Sequence, residues 1–180
     1  MKKTPARFVR RIIATVLLAM LFTLVDVSAQ PVSGTWNNAT SGGAWSSPAN
    51  WVSGIIANGA GSTADFSTIN ITADNTVHLD TARILTGLIF GDTATGSAAG
   101  WFLDNNGIPG NTLTLTNGFI QVNTLGGGKV ATISVILVGT NSLTKVGPGT
   151  LVLSSSNTYS GNTTISAGTL TLNGSGAINN

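Results

Sequence analysis

The chain's one histidine, His78, stands in Thr76-Val77-His78-Leu79-Asp80. On an extended chain His78 and Asp80 share a face, with Val77 and Leu79 on the other. A histidine beside a carboxylate is half of a catalytic triad or half of a metal site. Completing either takes a second histidine, a cysteine or a positioned nucleophile. The chain has no cysteine and no further histidine, so the pair reads as an exposed cross-face contact. Asp74, Asp80 and Arg83 are near enough in sequence to meet across neighbouring strands, which a polysaccharide-cleaving site would ask of its carboxylates and positive stabiliser. The other acids are single and far apart, and these three read as solvated surface charges. Asp104-Asn105-Asn106-Gly107 opens like a calcium loop but lacks the later ligands and the closing glutamate, so it reads as a turn. No catalytic residue, metal or cofactor is assigned.

Trp36, Trp45 and Trp51 lie within sixteen residues among Asn, Ser and Gly. Indole faces at such spacing suit stacking on sugars, which makes these three the ligand-binding residues of a glycan-binding or adhesin reading. The competing reading, preferred here, has them covering the open end of a repetitive fold, where apolar interior and unpaired strand edges would otherwise be exposed.

Those side chains need elements to hold them, and composition says which. The 180 residues carry a formal charge of +2 and a pI near 9.4. Five of the eight basic residues fall in the first eleven positions, before an uncharged apolar run from Ile12 to Val25 and the small residues Val27-Ser28-Ala29. That order is a signal peptide spanning 1–29, with cleavage after Ala29. Without it, Arg83, Lys129 and Lys145 face five aspartates, a net −2, and no basic patch remains for nucleic acid. Glutamate is absent, and Gly, Thr, Ser, Asn and Ala dominate. Strong helix formers are few, so strands and turns are expected throughout.

Thr-apolar pairs recur from Thr112, Thr132, Thr150 and Thr169, at intervals of 20, 18 and 19. A near-constant period of that size, with short alternating strands between Gly/Asn/Ser turns, predicts a solenoid: an all-β, right-handed parallel β-helix. Each strand then lies about 4.8 Å from its copy in the next coil, with leucines stacking inward and threonines outward. Gly147, Gly149, Gly161, Gly168 and Gly174 fall at corners that need positive φ or close backbone approach. Antiparallel hairpins in a sandwich or barrel are the alternative. The expected organisation is a Trp-rich capping segment over 30–68 and coils over 69–180.

The stretch Gly147 to Ile178, GPGTLVLSSSNTYSGNTTISAGTLTLNGSGAI, resembles the autotransporter-associated β-strand repeat, a passenger-associated repeat. The matching positions are Gly147, Gly149, Thr150, Leu151 and Leu153, then Asn157, Thr158, Tyr159 and Gly161, then the Thr-rich strand Thr163 to Ile165, then Gly168, Thr169, Leu170 and Leu172. Trp36 to Leu103 loosely resembles the segment that often precedes such repeats in large exported bacterial proteins. The resemblance implies a non-catalytic display segment of a secreted or surface-exposed passenger, with a β-helical stalk and a C-terminal barrel as its outer-membrane translocator. No barrel strands follow Asn180, so a truncated or partial chain is expected, self-associating or continuing into further coils at that end. Surface glycans are the partner in the adhesin alternative.

Overall fold

The computed structural model describes residues 30–178, so the expected signal peptide and its cleavage point lie outside the described residues. The described chain holds thirteen strands: β1 (Gly34–Thr35), β2 (Gly43–Ala44), β3 (Thr63–Phe66), β4 (Asn75–His78), β5 (Arg83–Phe90), β6 (Trp101–Asp104), β7 (Leu113–Val122), β8 (Ala131–Ile133), β9 (Leu137–Val138), β10 (Leu143–Val146), β11 (Thr150–Leu153), β12 (Thr163–Ile165) and β13 (Thr169–Leu172). Three short 3-10 turns are its only helical pieces.

Every strand pairing is parallel and joins one coil to the next, as a β-helix requires and a hairpin sandwich forbids. One sheet runs β1-β3-β5-β7-β10-β12 and the other β2-β4-β6-β8-β11-β13. The first halves of β5 and β7 bend away and, with β9, form a third side. That side continues through Thr158, whose N–H donates to the Leu137 carbonyl at 2.9 Å. The bend falls at a register shift between Leu85 and Gly87, where the Phe119 ring occupies the space of the side chain that Gly87 lacks.

Period-2 alternation decides what faces inward. In the second sheet one inner column runs Val77, Leu103, Ile133, Leu153, Leu172, and a second runs Asn75, Trp101, Ala131, Leu151, Leu170. In the first sheet Ala64, Leu88, Ile120, Lys145 and Ile165 stack in register, beside Phe66, Phe90 and Val122. Burying one such leucine or phenylalanine fully contributes about 1.5–3 kcal/mol. The columns therefore carry most of the cohesion in a chain without disulfides.

The period differs from the sequence expectation. Gly43 to Val77, Val77 to Leu103, Leu103 to Ile133, Ile133 to Leu153, and Leu153 to Leu172 are successive partners, separated by 34, 26, 30, 20 and 19 residues. Only the last coils have the short repeat. Thr112 immediately precedes the part of β7 that lies on the third side, whereas Thr132 lies in β8, and Thr132 pairs with Val152 rather than Thr150. The even spacing upstream compared different sides of the coil. Surface loops between strands absorb extra residues at little cost, so coil length drifts while register holds.

The glycine expectation is met at the corners. Gly147, Gly168 and Gly174 have φ of 78°, 71° and 60°. At Gly149 and Gly161 a β-carbon would lie 2.3 Å from backbone atoms of the preceding coil.

Candidate functional site

Trp36, Trp45 and Trp51 are buried, and the glycan reading in its original form loses its contact surface. Their rings pack edge to face, Trp36 on Trp51 and Trp45 on Trp51 at 5.1 Å between centroids in each case. Trp45 meets Phe66 at 5.5 Å, and Phe66 stacks on Phe90 at 5.2 Å. Such pairs add about 0.5–1.5 kcal/mol beyond area burial. Each indole N–H is satisfied inside the protein, donating to the carbonyls of Asn38, Ala57 and Trp45 respectively.

Two glycines make room for this cluster. Gly34 and Gly43 end the inner columns at the outermost strands β1 and β2. A β-carbon on Gly34 would come within 2.8 Å of the Trp51 ring and 2.4 Å of the Ile55 carbonyl oxygen; one on Gly43 would come within 2.7 Å of the Trp36 ring. The absence of side chains there leaves the indoles room inside the first coil. The first coil also carries two isolated antiparallel bridges, Val32 with Asn58 and Trp36 with Trp51.

The charged groups do not converge. His78 and Asp80 do point outward between buried Val77 and Leu79, yet His78 pairs with Asp104 of the next coil, Nδ1 to Oδ1 at 2.6 Å. The Asp80 carboxylate instead accepts from the Ser46 amide and hydroxyl. Asp104 also accepts from the Asn106 N–H, with Asn106 and Gly107 at positive φ, so the Asp104 stretch is a turn. Asp74 lies away from Asp80 and Arg83. It takes both oxygens to Lys129 Nζ at 2.9 Å, and Oδ1 also accepts from the Gly100 N–H at 2.8 Å. Lys129 lies two coils on, and bare Gly100 in the coil between leaves the path open. The Lys129 hydrogen bond holds the Asp74 carboxyl below its ordinary range, against a smaller opposing effect of burial. Burial pushes the Arg83 pKa down, with Asp80 acting the other way. Among the described residues no group of three or more His, Cys, Asp or Glu side chains is placed to hold a metal ion.

The repeat residues act as coil-to-coil ties. Thr150–Leu153 pairs with Thr169–Leu172 residue for residue, so Leu151 meets Leu170 and Leu153 meets Leu172. Asn157 is buried and touches three coils: Oδ1 accepts from the Leu137 N–H at 2.9 Å, and Nδ2 donates to the carbonyls of Ser155 at 3.0 Å and Ala177 at 2.9 Å. Tyr159 is buried too, its hydroxyl 2.7 Å from that of Thr163, and burial raises its pKa.

Sequence reasoning passed over Lys145. It is fully buried on the inner face of β10, in the column between Ile120 and Ile165. Its Nζ donates to the carbonyls of Val146 at 2.8 Å, Gly147 at 2.9 Å and Ala167 at 3.1 Å. Burial pushes its pKa down. The signal was available: in Leu143-Thr144-Lys145-Val146 the lysine is in phase with the inward leucine.

Comparison with known proteins locates the best-defined of these regions. Residues 143–172 match the family described as Passenger-associated-transport-repeat. A curated relative, the adhesin BmaC autotransporter of Brucella suis biovar 1 (strain 1330), is 36% identical over 146 residues, 81% of this chain. The match spans 4% of that relative's length. No solved structure matches significantly.

Proposed function

We propose that the chain, which matches the passenger-associated transport repeat over residues 143–172, is an exported, cell-surface segment of an autotransporter-type passenger, a non-catalytic structural piece that extends and displays a longer protein. The observation that supports this best is the residue-for-residue parallel pairing of β11 with β13 inside the matched repeat. Each coil presents to the next the same backbone edge and the same inward leucines, and such a unit adds length without needing a ligand. An outer-membrane β-barrel translocator is the partner this role requires. The dispersed carboxylates and the internally paired His78 and Lys129 support the non-catalytic part of the reading.

A second reading, an adhesive module, draws support from the name of the relative. With the tryptophans buried, its contact surface would be an outer sheet face, where Phe102 on β6 is 37% exposed among the threonines Thr76 and Thr132. Glycan-array and host-cell binding by the full chain separates the two. The structural reading expects no saturable binding. Saturable binding that Phe102→Ala abolishes, with far-UV circular dichroism unchanged, would replace it with the adhesive one.

A further inference from the structure

A lysine in an apolar column of a β-helix is costly unless its charge is fully met. Among the described residues Lys145 meets it with three main-chain carbonyls and no carboxylate, one acceptor for each ammonium proton. The acceptors come from two successive coils. Val146 ends β10 and Gly147 opens the corner after it, and Ala167 sits at the equivalent corner before β13. Gly168 completes the cage, because a β-carbon there would lie 2.9 Å from Nζ and 2.5 Å from the Gly147 oxygen. Its φ of 71° turns the Ala167 carbonyl corner in a conformation that side chains disfavour. Main-chain bonds flank the cage on both sides: Ser166 N–H to the Lys145 carbonyl at 2.9 Å, and Thr169 N–H to the Gly149 carbonyl at 3.3 Å.

We propose that the stacked corners that follow β10 and β12 together form a site for a primary ammonium ion which the chain fills with its own Lys145, and that this contact holds the coil of β12 and β13 in register on the one before it. The role is one of positioning. The inward column supplies little hold at this level, since Ile165, the partner of Lys145 in β12, is 52% exposed. The carbonyl cage is tetrahedral in its demand, three acceptors plus the side-chain stem, and so selects an ammonium carrying one substituent over a fully alkylated one.

Three measurements on the full chain test this. Acylation with an amine-selective reagent is expected to modify Lys145 at least tenfold more slowly than half-exposed Lys129; equal rates would overturn the caged state without any variant being made. In Lys145→Met, which keeps the bulk and removes the charge, amide exchange at Ser166 and Thr169 is expected to quicken at least tenfold while that of Trp101 to Asp104 stays as it was. Unchanged exchange at Ser166 and Thr169 would mean that an apolar filler suffices, and the proposal would fail. In Lys145→Ala, methylammonium is expected to restore slow exchange where tetramethylammonium at equal ionic strength does not. Rescue by neither ion, or by both alike, would reject the ammonium site. If the alanine variant does not fold, the acylation ratio and the methionine variant still decide.

Discussion

At the amino-terminal end the inner columns reach glycines 34 and 43, indole rings fill the space that side chains there would take, and Val77, Phe66 and Trp101 in the following coils are wholly buried. At the other end of the described coils the same columns run out through side chains that stay in water: Leu153 is fully buried, while its partner Leu172 is 44% exposed. Leu151 is likewise buried, and its partner Leu170 only half so. The chemistry of the two layers is identical, leucine on leucine at one register. What differs is how far the other described residues cover each side chain. A solenoid layer is therefore stabilised less by its own residues than by having a neighbour on each side. In the first described coil the side chains packed on one another are those of an aromatic cluster, Trp36, Trp45 and Trp51 with Phe66.

The largest expected effect sharpens this contrast. Trp45→Ala removes a buried indole that touches Trp51 and Phe66, and should cost about 3–5 kcal/mol in urea unfolding. Leu172→Ala should cost about 1 kcal/mol or less, its side chain being nearly half in water already. Comparable losses at the two sites would mean that the tryptophan cluster does not close its end of the coil.

Next in size is the comparison within one column. Leu151→Ala should destabilise by about 2–5 kcal/mol, whereas Leu170→Ala, identical in chemistry and directly paired with it, should cost about half as much. The same unfolding curves report it. Equal values would contradict the account of a neighbour-dependent layer.

The smallest effect concerns the surface tie across three coils. The Asp74 carboxyl is held below its ordinary range chiefly by Lys129, so the folded chain binds this proton less readily than the unfolded one. Its contribution is present above about pH 4 and is lost as the pH falls through the folded value. Both side chains are well exposed, so Asp74→Asn should cost under about 1 kcal/mol at pH 7 and should flatten the acid limb of the stability profile. Melting temperatures between pH 3 and 7 measure it, and a variant with an unaltered acid limb would show the tie to be ornamental to stability.

Local pattern made a good part of the molecule legible. Alternation in Thr-Leu-Thr-Leu assigned inward leucines and outward threonines, and Val77 and Leu79 followed the same rule. Corner glycines were identifiable because so few residues tolerate positive φ or a carbonyl at 2.3 Å. The repeat at the carboxyl-terminal side was readable because its two strands are only 19 residues apart and nearly identical. The candidate site was less legible: the tryptophans were found but their accessibility was not, and Lys145 was missed although its phase gave it away.

What the sequence by itself determined is thus everything that depends on neighbours along the chain: strand content, the face each side chain takes, the turns and the closing repeat. The tertiary structure alone decided what depends on neighbours across coils. It put Asp104 rather than Asp80 on His78, carried Asp74 past Gly100 to Lys129, and set Thr132 beside Val152. It also set indoles against Gly34 and Gly43, and an ammonium among three carbonyls. The physical reason is that partners in a β-helix lie one coil apart, here 19 to 34 residues. Surface loops vary that distance at almost no energetic cost, so local spacing carries no record of it.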